Sequence, residues 1–205
     1  MAAAGDFLEA SITFVTPDSV AVGNEDIRIG LFDHLERTSE TQLGQNTSYS
    51  SSSPNPVYEG LPGFYLELDV ESADLATDLD IRRSDPSVTG RSISTSSGFS
   101  SIGNGPDVGY VFEPNTEYSV VLRVTRNATN TLDITAEFAG ASFTVTDLLP
   151  ASFNIGMLAI NASSGAFGTS NVAGEANNGI DLVSLVVEST TVSYTHLTLP
   201  TIYSV

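Results

Sequence analysis

Apolar residues recur at every second position through most of this chain, and no window carries them at the i, i+3, i+4, i+7 spacing of a helix. In FLEASITFV, Leu8, Ala10, Ile12 and Phe14 alternate with Glu9, Ser11 and Thr13. Ile27, Ile29 and Leu31 repeat the pattern in DIRIGLF, and Phe64, Leu66, Leu68 and Val70 repeat it in GFYLELDVE. EYSVVLRVT, TLDITAEFAG, SFTVT, SFNIGMLAI and GIDLVSLVVES continue the series. Successive side chains of a strand point to opposite faces, so this period predicts strands with one buried face and one wet or functional face. RNATNT and FAGAS read as hairpin loops, while ESADLATDLDIRRSD, QNTSYSSSSPNP and TSSGFSSIGNGP read as longer polar loops. Many strands, polar connections and no helix predict an all-β fold, a two-sheet antiparallel β-sandwich or jelly roll, spanning residues 1–191 as one domain.

Charge narrows the partners. The chain has 25 acidic residues against 7 basic ones, a net charge of −18, and every basic residue is arginine. Such a surface repels phosphates and excludes a nucleic-acid partner. It suits salty or extracellular water, with cation binding by some carboxylates as the second reading. No apolar run approaches the length of a membrane-spanning helix. Two histidines and no cysteine leave no zinc site and no histidine-based triad to assemble, and His34, in LFDHLER, reads as a surface residue.

The order of the segments is more informative than any one of them. FLEASITF, DIRIGLFD, GFYLELDVES, NTEYSVVLRVTRNATNTLDITAEFAG, FNIGMLAI and GIDLVSLVVES follow one another in a sequence that resembles the concanavalin A-like lectin/glucanase superfamily, and within it the laminarinase–lichenase type. The resemblance covers residues 6–189 and implies a concanavalin A-like jelly roll. In that family a cleft-lining strand carries Glu-x-Asp-x-Glu, and Glu67, Asp69 and Glu71 stand in that pattern here. If the chain is an enzyme, the resemblance implies a retaining glycoside hydrolase with Glu67 as nucleophile, Asp69 as helper and Glu71 as acid/base. Strand geometry puts the three on one face, opposite Leu66, Leu68 and Val70, and hydrolysis requires the two glutamates to converge. Tyr58 and Tyr65 are the candidate ligand-binding rings, because the chain has no tryptophan and GLPG stands where the family has Trp-Pro. The resemblance also implies a structural calcium on Asp181, with Asp6, Glu9 and the Gly5 carbonyl as partners.

The last residues read differently. VSYTHLTLPT, residues 192–201, resembles, residue for residue, a translated sequencing adapter, which implies that residues 192–205 are a non-native tail and that the true termini are missing. The resulting expectation is a non-catalytic carbohydrate-binding or adhesion-type module of an exported bacterial protein, extracellular or on the cell surface, meeting a glycan or cell-surface polymer. A glycoside hydrolase and a structural spacer domain are the alternatives.

Overall fold

In a computed structural model of the chain, the described residues are 3–18, 20, 25–33, 62–70, 79–85, 98–106, 110–148, 155–162 and 181–190. They form ten strands: β1 (Phe7–Val15), β2 (Glu25–Asp33), β3 (Gly63–Val70), β4 (Leu79–Ser84), β5 (Phe99–Asn104), β6 (Glu117–Arg126), β7 (Thr131–Phe138), β8 (Ala141–Leu148), β9 (Ile155–Ala162) and β10 (Asp181–Ser189). Two five-stranded antiparallel sheets result. Sheet A has the order β10-β1-β6-β7-β8 and sheet B the order β5-β4-β3-β2-β9. The fold is therefore an all-β, two-sheet antiparallel sandwich, as the alternation predicts.

The core lies between the sheets and is built from the expected positions. Ala10, Ile12 and Phe14 of β1, Leu122 and Val124 of β6, and Ile134 and Ala136 of β7 face Ile27, Ile29 and Leu31 of β2 and Phe64, Leu66 and Leu68 of β3. One end of the core is aromatic. Phe112 stacks on Phe138 at 5.4 Å and meets Tyr118 edge-on at 4.7 Å, with Phe14 and Tyr110 beside them. The Glu113 N–H donates to the Tyr118 hydroxyl (2.8 Å) and the Thr16 hydroxyl donates to the Glu113 carbonyl (2.6 Å), so the buried polar atoms at this end have partners.

Both hairpins stand where the sequence placed them. β7 and β8 are joined by Ala139 and Gly140 alone, with φ of 50° and 82°. Two left-handed residues in succession make a type I′ turn, whose twist matches that of the strands. Two strands were missed. LDIRRS and FSSIGN fell within segments read as loops, but they are β4 and β5. β4 is short, with apolar residues at only Leu79 and Ile81, and β5 breaks its alternation at a bulge, so neither offers a full period.

Three of the four sheet edges carry such a bulge on the edge strand itself. Thr13 pairs with Ser184 but Phe14 with Leu182, leaving Val183 extra in β10. Phe32 pairs with Met157 but Asp33 with Ile155, leaving Gly156 extra in β9. Ile81 pairs with Gly103 but Arg82 with Ser101, leaving Ile102 extra in β5. The ladder from β7 to β8 runs without a shift. Beside it, Arg83 of β4 grips both carboxylate oxygens of Asp147 of β8 at 2.8 and 3.0 Å, tying the two sheets together.

The layering predicts a contrast between neighbouring residues of β6. Leu122 is fully buried and Val121 half-buried on the opposite face. Leu122→Ala should lower the unfolding free energy by about 2–5 kcal/mol, and Val121→Ala by less than roughly 1 kcal/mol, as read from urea midpoints. Equal losses would contradict the assignment of faces.

Candidate functional site

The outer face of sheet B departs from simple alternation. β3 is buried at seven of its eight positions, with only Asp69 half-buried, so its second face is not wet. One half of that face is apolar: Phe32, Tyr65, Phe99, Met157 and Ala159 form a second buried cluster separate from the core. Phe99 meets Tyr65 edge-on at 4.7 Å and Phe32 at 6.1 Å. The Phe32 ring lies across Gly30 and Gly63, where an added Cβ would collide with it. Glycine is needed there for close approach rather than for a turn.

The other half is ionic. Register pairs Arg28 with Glu67 and Glu67 with Asp80, so three outward residues line up across β2, β3 and β4. Arg28 Nε donates to Glu67 Oε2 at 2.5 Å, and its Nη2 reaches Asp26. From the other side Arg82 Nη2 lies 2.9 Å from Glu67 Oε1. Arg82 Nε lies 2.8 Å from Asp80 Oδ2 but off the hydrogen-bonding line, so that contact is ionic. The Ser101 hydroxyl of β5 donates to Asp80 (2.6 Å) and lies 3.1 Å from Asn104 Oδ1. The result is a chain of alternating charge, Asp26–Arg28–Glu67–Arg82–Asp80, buried at Glu67 and opening toward β5.

Asp69 stands directly opposite Asp26 and hydrogen-bonds to it. Burial pushes the Asp26 carboxyl above its usual range and nearby Glu67 adds to this, outweighing Arg28 and the bond to Asp69. Burial likewise raises Asp80, against the pull of Ser101 and Arg82. Burial alone would lower Arg82, but Glu67, Tyr65, Asp80 and Asp26 around it raise it instead.

The residues singled out from the sequence fare unevenly. Glu67 and Asp69 share a face, opposite Leu66 and Leu68, as expected. Glu67, however, is 6 % exposed, and both its oxygens are engaged by arginines. Tyr65 is fully buried in the second apolar cluster, with its hydroxyl 3.5 Å from Glu67 Oε2, so its ring is not presented to a ligand. Glu71 and Tyr58 lie outside the described residues, as does the 192–205 tail. The three candidate calcium ligands are not brought together. Glu9 pairs with Glu188 while Asp181 pairs with Val15, six residues further along β1, a separation of about 20 Å. Glu9 instead faces Arg123 at 3.4 Å, and Asp6 accepts a hydrogen bond from the Ala3 N–H at 2.7 Å. Among the described residues no group of three acidic or histidine side chains is placed to hold a metal ion.

Sequence reasoning missed Asp26, Arg28, Asp80 and Arg82 as site residues. A signal was present for one of them: Arg28 occupies an outward position of a regular strand, in a chain with only seven basic residues. Asp80 and Arg82 fall in ESADLATDLDIRRSD, which reads as a polar loop, so the strand that carries them is not visible in the sequence.

No protein-family pattern matches the chain, and no curated protein matches it. Among solved structures, the crystal structure of basic winged bean lectin with Tn-antigen is similar at a TM-score of 0.41 and 16% identity, over 90% of this chain and 71% of that one.

The carboxyl pair sets a pH dependence. A folded-state carboxyl raised above its unfolded value binds its proton more tightly in the native state. Stability from Asp26 and Asp80 therefore falls as pH rises from about 4 through the raised values. Asp26→Asn keeps a donor for Asp69 and removes the strained charge. It should raise the melting temperature at pH 7–8, with the gain closing as pH falls to about 4. A destabilised variant at neutral pH would contradict this reading.

Proposed function

We propose that this chain is a non-catalytic carbohydrate-binding module of concanavalin A-like type, with its ligand site at the β4–β5 end of the charged face of sheet B. One observation carries the reading: Glu67 is clamped by Arg28 and Arg82 through both its oxygens. A retaining glycosidase needs a carboxylate with a lone pair aimed at the sugar's anomeric carbon. The clamp commits Glu67 to holding β2, β3 and β4 in place. Its outer end supplies Asp80, Arg82, Ser101 and Asn104, half-buried to exposed and already fixed to one another. Such an array presents acceptors and donors a few ångströms apart, which suits adjacent sugar hydroxyls that both donate and accept. The acidic, lysine-free surface supports placing the module outside the cell, on an exported bacterial protein.

A glycan array combined with a reducing-sugar assay on β-glucans tests the proposal. The expected result is retention of at least one glycan and no release of reducing ends. Arg82→Ala and Asn104→Ala should each weaken binding by roughly 10-fold or more, as loss of a hydrogen bond to or near a charge implies. Reducing-end release abolished by Glu67→Gln would establish the hydrolase in its place. No retained glycan at millimolar sugar would favour the structural spacer.

A further inference from the structure

We propose, resting on the reading of this face as a glycan site, that the bulge in β5 builds an ammonium-binding corner there and that the sugar bound is an amino sugar with a free primary amine. In SSIGNG, Ser101 and Asn104 are three residues apart, a spacing that puts side chains on opposite faces of a regular strand. The extra residue, Ile102, corrects the phase: Ser101 pairs with Arg82 and Asn104 with Asp80, both outward positions of β4. Bulges re-aim side chains in this way. Asp80, Ser101 and Asn104 therefore meet at one outer corner of sheet B.

The bulged strand is held from beneath. A Cβ on Gly103 would lie 2.5 Å from Val145 Cγ2, and one on Gly105 would lie 2.8 Å from the Phe143 ring, so β8 packs directly on the β5 backbone. The Gly105 N–H donates to the Leu79 carbonyl at 2.8 Å, continuing the ladder past Asn104. The Arg83–Asp147 ion pair fastens the same edge. Support of this kind fixes the corner before a ligand arrives.

The chemistry of the corner calls for donors. Ser101 Oγ lies 2.6 Å from Asp80 Oδ1 and 3.1 Å from Asn104 Oδ1. A hydroxyl has one proton to give, so it serves one of these acceptors at a time and leaves the other short. A primary ammonium brings three donors and no acceptor, which matches a carboxylate, an amide oxygen and a hydroxyl oxygen set close together. A calcium ion asks for six to eight oxygens, and among the described residues no group of three acidic or histidine side chains stands here.

Charge points the same way. The ion chain behind the corner has carboxylates at Asp26, Glu67 and Asp80 against guanidinium groups at Arg28 and Arg82 alone, and the whole chain carries −18. Such a field draws a cationic sugar and repels a uronate or a sulfated one. A lysine side chain offers the same ammonium, but it has no hydroxyls for the partly exposed Arg82 guanidinium and the Asn104 amide beside the corner.

Calorimetric titration of the full 205-residue chain with linkage-matched trisaccharides of glucosamine, N-acetylglucosamine and glucose tests this, at pH about 6 where a primary amine is protonated. The glucosamine form should bind at least roughly 10-fold more tightly than the other two, as hydrogen bonds to a charged group imply. Added salt should shrink that preference. Asp80→Asn should bring it below roughly 3-fold; Ser101→Ala, at an exposed position, should lower it in the same direction and serves if the Asp80 variant fails to fold. Glu137→Gln removes the same unit of charge from the exposed outer face of sheet A and should leave the preference unchanged. Equal binding of the acetylated or glucose form, a preference that survives both Asp80→Asn and Ser101→Ala, or an equal loss in Glu137→Gln would overturn the amino-sugar assignment and leave the glycan-binding module standing. A blocked lysine amide bound as tightly as the glucosamine trisaccharide would overturn it as well, in favour of a general ammonium site. Binding of none of the three trisaccharides would overturn the glycan reading itself, and this assignment with it.

Discussion

Glu67 lies in the middle strand of sheet B at a position that packing has removed from water, and its charge is tolerable there because Arg28 and Arg82 reach it from the strands on either side. An unpaired carboxylate in such a place would cost several kcal/mol, of order 3–5 when a buried pair is broken. That constraint fixes more than one side chain. It fixes the register of β2, β3 and β4 together, since a slip of one residue would turn Glu67 into the core and leave both arginines facing apolar neighbours. Apolar burial drives the sheets together, and the ion chain selects which of the possible alignments they adopt.

The same constraint divides the face. At the Phe32 end of the strands it is closed, with Phe32, Tyr65, Phe99 and Met157 clustered and the Phe32 ring lying over Gly30 and Gly63. Toward β5 it opens through Asp80, Arg82, Ser101 and Asn104. The closed part rigidifies the open part. Binding modules benefit from polar groups ordered before the ligand arrives, because less freedom is lost on association. A carboxylate bound on two sides by guanidinium groups is well suited to positioning and poorly suited to attack on a sugar.

Much of the architecture was legible in the residues. Eight strands, both hairpins and the inward positions follow from period two and turn chemistry, which are local rules. β4 and β5 escaped because their evidence is not local. LDIRRS becomes a strand by pairing its charges with Glu67 and its apolar residues with Leu66 and Leu68, and β5 is bulged. Glu67 and Asp69 were correctly placed on one face, but the arginines committing Glu67 come from strands distant in sequence. Tyr65 looked like a ring for stacking because alternation implies a wet face opposite each core residue. A second apolar cluster removed that face from solvent, and nothing in GFYLELDV announces it. The calcium candidates lie apart along a strand: pairing with β10 sets Asp181 against Val15 rather than Glu9.

The claim on which the account turns is that Glu67 is a structural anion shared between two arginines. A double-mutant cycle on Arg28→Gln and Glu67→Gln, followed by urea unfolding, measures it directly. Each single variant should lose about 3–5 kcal/mol by stranding its partner. The double variant should lose clearly less than the sum, with a coupling above roughly 1 kcal/mol. Single losses that add to within about 0.5 kcal/mol would show that Glu67 stands independently of Arg28, and the account of this face would fail.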